Sequence, residues 1–329
     1  MTTATKLPKI SIITPFYTMV RFKDITELLD SIQLQSYRNI ETIIVAERSP
    51  ELVESIKNYT HGKGYSNIIV LYNQGKWGSY PSRNLGINKA SGEIIAFVDD
   101  DALLFPDWAE QTARAYAEDS SIIGLTGPIL PLWEDEAMNW FPREFYWIFS
   151  CTYWEWTEPT EVRNGYGTNI SFRKEAFNQC GFFKVSLEDE KSGKSDWQQP
   201  GGEETEFSIR VKRQTHKRII YHPNIKVKHK VYLYRLSNNF IRKRAYWEGY
   251  AKAIFNRLYR SHNEQILSTE HELLHRILFC LVPTSLKLFF SQPKVALRQL
   301  WVTKLVLASV ATGYLNYNLH NLPFIGRHA

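Results

Sequence analysis

Three consecutive aspartates follow an apolar run in GEIIAFVDDDALLFPDW, residues 92–108. The run is typical of a buried strand, and at its end the carboxylates of Asp99, Asp100 and Asp101 would repel one another without a positive partner. A helix N-cap at Asp101 or Asp107 accounts for one of them only. Hard divalent cations take carboxylate oxygens as ligands and bridge them to substrate phosphates. The triplet therefore predicts a metal-diphosphate site, with a purely structural turn as the alternative.

The segments around this acidic triplet alternate between strand and helix patterns. Apolar strands are predicted at residues 10–15, 41–46, 67–73 and 93–101, with helical segments between them. Continuous apolar strands separated by helices indicate an α/β fold with a parallel sheet buried on both faces. Ligands of such sheets bind at the carboxyl ends of the strands, which is where the triplet lies.

The second half of the chain carries fewer strand signals. Two shorter strands are predicted at residues 169–172 and 217–221, with a helix over about 203–214 between them. The polar, glycine-bearing stretch 184–202 predicts a mobile loop that could close over a site. From about residue 237 onward the chain is predicted to be helical.

The charge of the chain is basic and unevenly distributed. Of the 329 residues 43% are hydrophobic and 22% are charged, which indicates a folded globular protein. The formal net charge is +6, with basic clusters at 210–218, 226–230 and 242–244. Such clusters suit a polyanion, whether nucleic acid, anionic lipid or diphosphate. No nucleic-acid recognition motif accompanies them, so no nucleic-acid partner is expected.

The cysteines and the N-terminus predict a location. The three cysteines, Cys151, Cys180 and Cys280, have no paired spacing. They support neither a disulfide framework nor a thiolate zinc site and indicate a reducing compartment. The N-terminal MTTATKLPK lacks the apolar stretch of a secretory signal. We therefore expect the body of the protein to lie in the cytoplasm.

Five motifs follow one another between residues 10 and about 230. They are ISIITPFY, QSYRNIETIIVAERS, PSRNLGINKASGEIIAFVDDDA, GTNISFRKEAFNQCGFF and GGEETEFSIRVK. In this order they resemble the family-2 glycosyltransferases, which are inverting enzymes on the GT-A nucleotide-binding fold. The resemblance implies a GT-A type nucleotide-diphospho-sugar transferase fold, with a central, mostly parallel sheet, as the catalytic domain over residues 1–235.

The resemblance implies a metal site at the triplet. Asp99 and Asp101 match the family's D-x-D pair, with Asp99 nearer the ribose and Asp101 on the metal that bridges the two phosphates. His229 matches a family histidine that can complete the site, and polar surface is the alternative for it. The expected cofactor is a divalent metal, Mn²⁺ or Mg²⁺, of which Mn²⁺ suits imidazole better.

The resemblance also implies a site for the donor nucleotide, in which Glu47 occupies the place of an acidic residue that reads the base. The family usually has two aspartates where this chain has Ala46 and Glu47. A UDP-sugar is the favoured donor. The segment at 167–169 resembles one that approaches the donor sugar, where small residues let the backbone come close. The residues assigned to the donor nucleotide are Pro15, Tyr17, Glu47, Arg83, Asp99 and Asp100.

The catalytic base is implied to lie in GGEETEF. The second member of an acidic pair that opens a helix takes the proton of the acceptor hydroxyl in the family, and that position is Glu204, preceded by Glu203. Glutamate in place of the usual aspartate lengthens the arm by one methylene, and a base has only to lie within hydrogen-bond reach. The alternative is that these carboxylates merely favour the positive end of the helix dipole, with Gly201 and Gly202 starting the helix.

Residues 236–329 are predicted to form a helical region in contact with a membrane. The segment 239–253 resembles a helix of membrane-associated family members that act on lipid-linked sugars or build surface polysaccharide. Arg242 and Arg244, with Trp247 beside them, are expected to hold a lipid phosphate or diphosphate. A solvated basic face is the alternative.

Two apolar stretches follow, ILFCLVPTSLKLFF and LWVTKLVLASVATGYL. Basic residues interrupt or border them at Lys287, Lys294, Arg298 and Lys304. This pattern is typical of helices that lie in the membrane interface on the cytoplasmic face, whereas a crossing helix needs about 20 largely uncharged residues. The alternative is a helical subdomain packed on the core.

The expected function is transfer of a single sugar from a nucleotide-diphosphate donor to an acceptor hydroxyl, on a polyprenyl- or dolichyl-phosphate-linked glycan or a surface-polysaccharide precursor. A processive polymer synthase would need several full-length membrane spans. A nucleotidyltransferase would need glycines in its first loop, and TPFYTMVRF contains none. A catalytically inactive nucleotide-sugar-binding module stays open as the binding alternative.

Overall fold

The structure divides into two compact units. The computed structural model describes residues 6–184, 201–259 and 267–320. The first unit draws its residues from Met1–Leu132, Ser150–Val185 and Glu203–Lys230, and the second from Trp133–Phe149, Ser186–Gly202 and Val231–Ala329. The loop predicted over residues 184–202 lies, except at its two ends, outside the described residues.

Strands form the centre of the first unit. In chain order they are β1 (Ile10–Phe16), β2 (Ile40–Glu47), β3 (Ile68–Asn73), β4 (Ile94–Phe97), β5 (Ala102–Leu104), β6 (Ile122–Thr126), β7 (Ile129–Trp133), β8 (Thr160–Glu161), β9 (Ile170–Arg173), β10 (Arg218–Tyr221) and β11 (Val227–Val231). One sheet has the order β3-β2-β1-β4-β9-β6-β10-β8, and a small second sheet has the order β5-β11-β7.

The central sheet is mostly parallel. β1 pairs in parallel with β2 and β4, β2 with β3, and β6 with β10. β9 runs antiparallel between β4 and β6, and β8 runs antiparallel to β10. Every residue of β2 and β4 is buried, as expected for strands that are covered on both faces. The predicted α/β fold with a mostly parallel central sheet is confirmed.

The described helices of the first unit are α1 (Phe22–Gln33), α2 (Pro50–Gly62), α3 (Ser79–Lys89), α4 (Trp108–Glu118), α5 (Lys174–Cys180) and α6 (Glu203–Thr215). A short 3₁₀ turn, Met19–Arg21, precedes α1. Buried apolar residues recur at helical spacing, as Ile25, Leu28 and Ile32 do in α1. The helix predicted over 203–214 is confirmed as α6, and the two shorter predicted strands are β9 and β10.

Phenylalanine rings hold α6 against the sheet. Phe207 of α6 stacks on Phe177 of α5 with ring centroids 4.8 Å apart, and it meets Phe172 of β9 edge-on at 4.9 Å. All three rings are buried, and burying one such ring stabilises the fold by roughly 2–3 kcal/mol. The amino end of α6, which carries Glu203 and Glu204, is thereby fixed in position.

The small sheet places His229 beside the acidic triplet. β11 runs antiparallel to β5, with His229 opposite Ala102, the residue that follows Asp101. The sequence predicted that His229 follows a strand, whereas it lies in the middle of β11. Val227, His229 and Val231 are buried on one face of that strand, because successive side chains of a strand point to opposite faces.

Over the described ranges 238–259 and 268–320 the second unit is helical except for the turn at 289–292, as predicted. Its helices are α7 (Asn238–Tyr259), α8 (Ser268–Arg276), α9 (Val282–Leu288) and α10 (Pro293–His320), and a π-helical turn, Ile277–Leu281, joins α8 to α9. Among the described helices, α10 is long and apolar enough to cross a membrane by length and composition alone.

Two glycines let α7 and α10 pack closely. A Cβ on Gly249 of α7 would lie 2.0 Å from the carbonyl oxygen of Val310, and a Cβ on Gly313 of α10 would lie 1.9 Å from that of Tyr246. No side chain fits at either position, since the two backbones are in contact there. Asn316 of α10 donates from Nδ2 to the Tyr246 hydroxyl, which adds a polar tie to the same crossing.

Candidate active site

The acidic triplet lies at the carboxyl edge of the central sheet, and protein cations surround it. Asp99 accepts a hydrogen bond from Arg83 Nη2 at 2.9 Å, and Asp100 accepts one from Arg21 Nη1 at 2.9 Å. Asp101 lies 3.2 Å from Arg21 Nη1 and 2.8 Å from His229 Nε2. The predicted positive partner is therefore supplied in part by three side chains of the protein itself.

The triplet together with His229 fits a divalent metal. One ligand atom from each of Asp99, Asp101 and His229 lies within 4.8 Å of the others. Two carboxylates and one imidazole are a donor set for Mn²⁺ or Mg²⁺. Asp100 Oδ2 is buried and has no hydrogen-bond partner among the described residues, which leaves an acceptor available beside the same group.

His229 is held in a buried ion pair. Burial by itself lowers the pKa of His229, but the nearby Asp101 carboxylate outweighs that effect and raises the pKa to about 10. On its other side, His229 Nδ1 lies 3.8 Å from Sγ of the buried Cys151. Cys151 and Asp101 thus fix the ring from both nitrogens, which orients Nε2 toward the triplet. A metal ion bound there would replace the Nε2 proton, because only the neutral imidazole nitrogen is a ligand.

Arg21 was missed by the sequence reasoning. It ends the 3₁₀ turn after β1, and its side chain is 14% exposed. Burial lowers the pKa of Arg21, and the charges of Asp100 and Asp101 more than restore it, so the net pKa is raised. Its contact with the triplet arises from the pairing of β1 with β4, whose carboxyl ends meet at one edge of the sheet, and the sequence around Arg21 does not mark that pairing.

Arg83 connects the triplet with the predicted base. It is 3% exposed and lies on α3. Its Nη2 donates to Asp99, and its Nη1 donates to Glu204 Oε1 at 2.8 Å. Tyr80, three residues earlier on the same helix face, donates its hydroxyl to Glu204 Oε2 at 2.5 Å. Arg83 and Glu204 were predicted from the sequence as site residues, whereas Tyr80 was not.

Glu203 is buried, whereas Glu204 is partly exposed. Glu203 is 4% exposed, and its Oε2 has no hydrogen-bond partner among the described residues. Burial, with the Glu204 carboxylate beside it, raises the pKa of Glu203 to about 8. At neutral pH Glu203 is therefore mostly protonated, and the first turn of α6 carries one carboxylate charge from this pair instead of two.

Gly167 and Thr168 contact the charged side chains of Arg83 and Asp99. Arg83 Nη2 donates to the Gly167 carbonyl at 3.1 Å, and Thr168 donates from Oγ1 to Asp99 at 2.6 Å. A Cβ on Gly167 would lie 2.2 Å from Glu204 Oε1 and 2.6 Å from the Arg83 nitrogens. A side chain at position 167 would therefore displace the charged ends of Glu204 and Arg83, which agrees with the small residue expected in this segment.

Pro15 and Tyr17, which are assigned to the donor nucleotide, lie at the end of β1, beside the end of β2. Pro15 pairs with Val45 in the β1–β2 register. The ring of Tyr17 lies under two guanidinium groups, 5.8 Å from that of Arg21 and 5.2 Å from that of Arg48. The Arg48 guanidinium also lies 5.7 Å from the ring of Trp77, which is 60% exposed. Arg48 and Trp77 were not among the predicted residues.

Glu47 ends β2 and is 2% exposed. Its Oε2 accepts hydrogen bonds from the backbone N–H of Gly78 at 2.7 Å and from the Ser82 hydroxyl at 3.4 Å. These contacts hold Glu47 to the start of α3. Its predicted part in reading the base stays a prediction.

The residues predicted to hold a lipid phosphate belong to α7 in the second unit. Arg242 is exposed and its Nη2 lies 3.3 Å from Asn239 Oδ1. Arg244 is half-buried on the same helix. Trp247 packs edge-on against Tyr246 and Tyr250. Arg242 and Arg244 lie two residues apart on α7 and leave the helix in different directions, and the charge of Arg244 lies close to that of Glu248.

Comparisons with known proteins show which family the chain belongs to and which fold it has. The family model described as glycosyl transferase family 2 matches residues 11–181. The chain is 29% identical to the glucosyl-dolichyl phosphate glucuronosyltransferase of Haloferax volcanii over 310 residues, which cover 93% of this chain and 95% of that protein.

Two solved structures are similar in fold. A mannosyltransferase from Pyrobaculum calidifontis, in complex with GDP-Man and Mn²⁺, superposes with a TM-score of 0.60 at 17% identity and covers 97% of this chain and 89% of its own. GalNAc-T7 with UDP, GalNAc and Mn²⁺ gives a TM-score of 0.53 at 17% identity over 82% of this chain and 54% of its own. The predicted GT-A type fold is confirmed. The family model spans more than half of the chain, and the chain therefore belongs to glycosyl transferase family 2.

Proposed function

We propose that this glycosyltransferase moves a single sugar, with inversion, from a nucleotide-diphosphate donor to an acceptor hydroxyl, and that the donor is a UDP-sugar. The observation that carries the proposal is the position of Arg83, whose two terminal nitrogens hold Asp99 and Glu204. One guanidinium thus ties the carboxylate assigned to the donor to the carboxylate assigned as base. Such an arrangement suits a displacement whose two reactants must meet in one fixed geometry.

Glu204 is the proposed base. Arg83 and Tyr80 each donate to one of its oxygens and so orient the carboxylate. The carboxylate takes the proton of the acceptor hydroxyl as that oxygen attacks the anomeric carbon from the face opposite the diphosphate. The bond from that carbon to the diphosphate oxygen breaks, its electron pair leaves with the nucleotide, and the configuration inverts. Glu203, mostly protonated beside it, keeps the local charge low.

The donor is proposed to lie along the carboxyl edge of the sheet. Arg83, buried between the two carboxylates, offsets charge that grows on the leaving diphosphate. A divalent ion held by Asp99, Asp101 and His229, Mn²⁺ or Mg²⁺, would add to that charge stabilisation when bound. The residues proposed to hold the nucleotide are Pro15, Tyr17, Glu47, Arg83, Asp99 and Asp100.

The acceptor is proposed to be a polyprenyl- or dolichyl-phosphate-linked sugar. The Haloferax relative, similar over nearly the whole chain, is named for a dolichyl-phosphate substrate. Arg242 and Arg244 supply guanidinium groups of the kind that bind phosphate, with Trp247 beside them for the lipid-proximal part. We assign catalysis to residues 1–235 and acceptor and membrane contact to residues 236–329, peripheral on the cytoplasmic face.

The proposed function is tested by incubating the purified full chain with a panel of UDP-sugars and a dolichyl-phosphate-linked monosaccharide in the presence of Mn²⁺. The expected product carries one added sugar by mass spectrometry, and NMR shows the anomeric configuration opposite to that of the donor. A product with retained configuration would overturn the direct displacement. A product that keeps growing would overturn single-sugar transfer.

A further inference from the structure

The C-terminal helices expose an apolar surface that the transfer reaction does not use. Twenty large hydrophobic side chains are exposed among the described residues, and ten of them lie between positions 274 and 319. They include Phe289, Phe290, Leu297 and Trp301. Exposed apolar side chains in this number mark a site of interaction with a partner or a membrane.

The same stretch has basic side chains and no acidic ones. From Leu273 to His320 the sequence contains no aspartate or glutamate. Of its five cationic side chains, Arg276 pairs with Glu144 of the same unit, and the other four are exposed. Those four are Lys287, Lys294, Arg298 and Lys304. An exposed surface that combines apolar and exclusively cationic side chains is complementary to an anionic lipid headgroup layer.

The turn between α9 and α10, residues 289–292, forms an apex on this surface. Phe290 is 93% exposed and Phe289 is 46% exposed. The turn is ordered by backbone hydrogen bonds, including Ser291 N and Gln292 N to the Leu288 carbonyl at 3.1 and 2.7 Å. The two rings are therefore presented to solvent on a fixed backbone.

A polar tie behind the apex holds the two helices together. Ser285 of α9 donates to Gln299 Oε1 of α10 at 2.8 Å, and Gln299 Nε2 donates to the Trp140 carbonyl at 3.0 Å. Lys287 stands on the α9 side of the apex and Lys294 on the α10 side. The apex thus has aromatic rings at its tip and a cation at each flank, and its position is set by contacts within the second unit.

We propose that this apex inserts Phe289 and Phe290 into the interface of an anionic bilayer, while the exposed cations of α9 and α10 bind the headgroups. The inference deepens the membrane contact of the proposed function and names the inserting residues and the lipid class. A second copy of this chain is a poorer occupant, because two such surfaces would bring eight like charges together.

The position of the cations agrees with helices that lie along the interface. On α10, Lys294, Arg298 and Lys304 stand on the exposed side together with Leu297 and Trp301. In the plane of the interface the cations stay among headgroups while the apolar side chains enter the acyl boundary.

The proposal is tested by sedimenting the purified full chain with vesicles of phosphatidylcholine alone or of phosphatidylcholine with phosphatidylglycerol. The wild type is expected to bind the anionic vesicles preferentially. The double variant Phe289→Ser/Phe290→Ser is expected to lose about tenfold or more in partition coefficient, given the apolar surface it removes. Lys287→Gln/Lys294→Gln is expected to weaken binding to the anionic vesicles and to reduce its dependence on salt.

The control is Leu34→Ser, which removes a 72% exposed leucine of the first unit and is expected to bind vesicles as the wild type does. Unchanged binding by the phenylalanine variant would overturn the insertion. Equal binding to both kinds of vesicle would overturn the anionic preference, and lipid-independent dimers abolished by the same variant would identify a second copy as the occupant. Calorimetric UDP binding with Mn²⁺, expected to be unchanged in the apex variants, separates this proposal from the donor site.

Discussion

The Arg83 guanidinium donates a hydrogen bond to Glu204 Oε1 over 2.8 Å. Its other terminal nitrogen is bonded to the triplet, so the proposed base and the proposed donor carboxylate share a single buried cation. The two hydrogen bonds of Arg83 fix the position of the Glu204 carboxylate relative to that of Asp99.

Replacing Glu204 by Gln should abolish most of the transfer while leaving the donor bound. The amide keeps the size of the side chain and loses the ability to take a proton, and such a loss costs about 10²- to 10⁴-fold in kcat. Steady-state release of UDP in the presence of acceptor measures the effect. Glu203→Gln is the matched variant and should cost less, because an amide resembles the protonated acid that burial favours there. Equal losses in the two variants would contradict the assignment of the base.

Gly167→Ala should damage the site without replacing any functional side chain. The added methyl would lie 2.2 Å from Glu204 Oε1, so the base or the backbone must move. Overpacking of this kind costs roughly 1–3 kcal/mol in unfolding free energy, and we expect kcat to fall along with it. Gly62→Ala is the control, since a Cβ there meets nothing within 4 Å. Full activity in Gly167→Ala would show that the contact is not needed.

Arg21→Met should make the fold more dependent on added metal. The substitution leaves Asp100 and Asp101 buried with one cation fewer, and breaking a buried ion pair costs about 3–5 kcal/mol. Mn²⁺ at the triplet would replace part of the missing charge. The rise in Tm on adding Mn²⁺ should therefore be larger in Arg21→Met than in the wild type, as thermal denaturation can measure.

Lys23→Met removes a lysine whose side chain is 85% exposed, two residues away, and it should behave as the wild type. An Mn²⁺ effect that is no larger in Arg21→Met than in the wild type would contradict the proposal that Arg21 and a metal ion share the charge of the same carboxylates.

Glu41 should make stability depend on acidity. Burial raises its pKa, but hydrogen bonds from Lys9, Ser11 and Ser91 outweigh that effect and lower the pKa from 4.5 to about 2. Because the folded-state pKa is the lower one, the stabilisation is fully present above the unfolded value and is lost as the pH falls from about 4.5 toward about 2. The gap corresponds to on the order of 3 kcal/mol.

Urea unfolding of the wild type and of Glu41→Gln at several pH values measures this contribution. The difference in unfolding free energy should be constant near neutral pH and should shrink below about pH 4.5. Glu54→Gln, at an exposed glutamate, is the control and should show no such trend. A difference that stays the same down to low pH would contradict the role of Glu41.

Strands β1 to β4, β9 and β10 and helix α6 were predicted, because continuous apolar runs and helical spacing are local signals, whereas β5 to β8 and β11 were not. The triplet, Arg83 and Glu204 were predicted through motifs in a fixed order. Tyr80 and Arg21 were missed because their roles depend on contacts with residues 124 and 79 positions away. Such contacts exist only after the sheet has formed, and no local pattern marks them.

His229 was predicted as a site residue, but it was expected after a strand and lies within one. The run VKHKV alternates buried and less buried side chains over 227–231, which is the strand period of two. That alternation could have placed His229 within a strand. The antiparallel insertion of β9 between β4 and β6 had no such signal, because strand order is set by tertiary packing.

Calorimetric titration of UDP measures whether the acidic triplet binds a metal diphosphate. Titrations are run on the wild type and on Asp101→Ala, each with and without Mn²⁺. We expect the wild type to bind UDP only when Mn²⁺ is present, and we expect Asp101→Ala to lose this binding. Binding of equal affinity without the metal, or unchanged binding in Asp101→Ala, would contradict this expectation and leave the aspartates with a structural role alone.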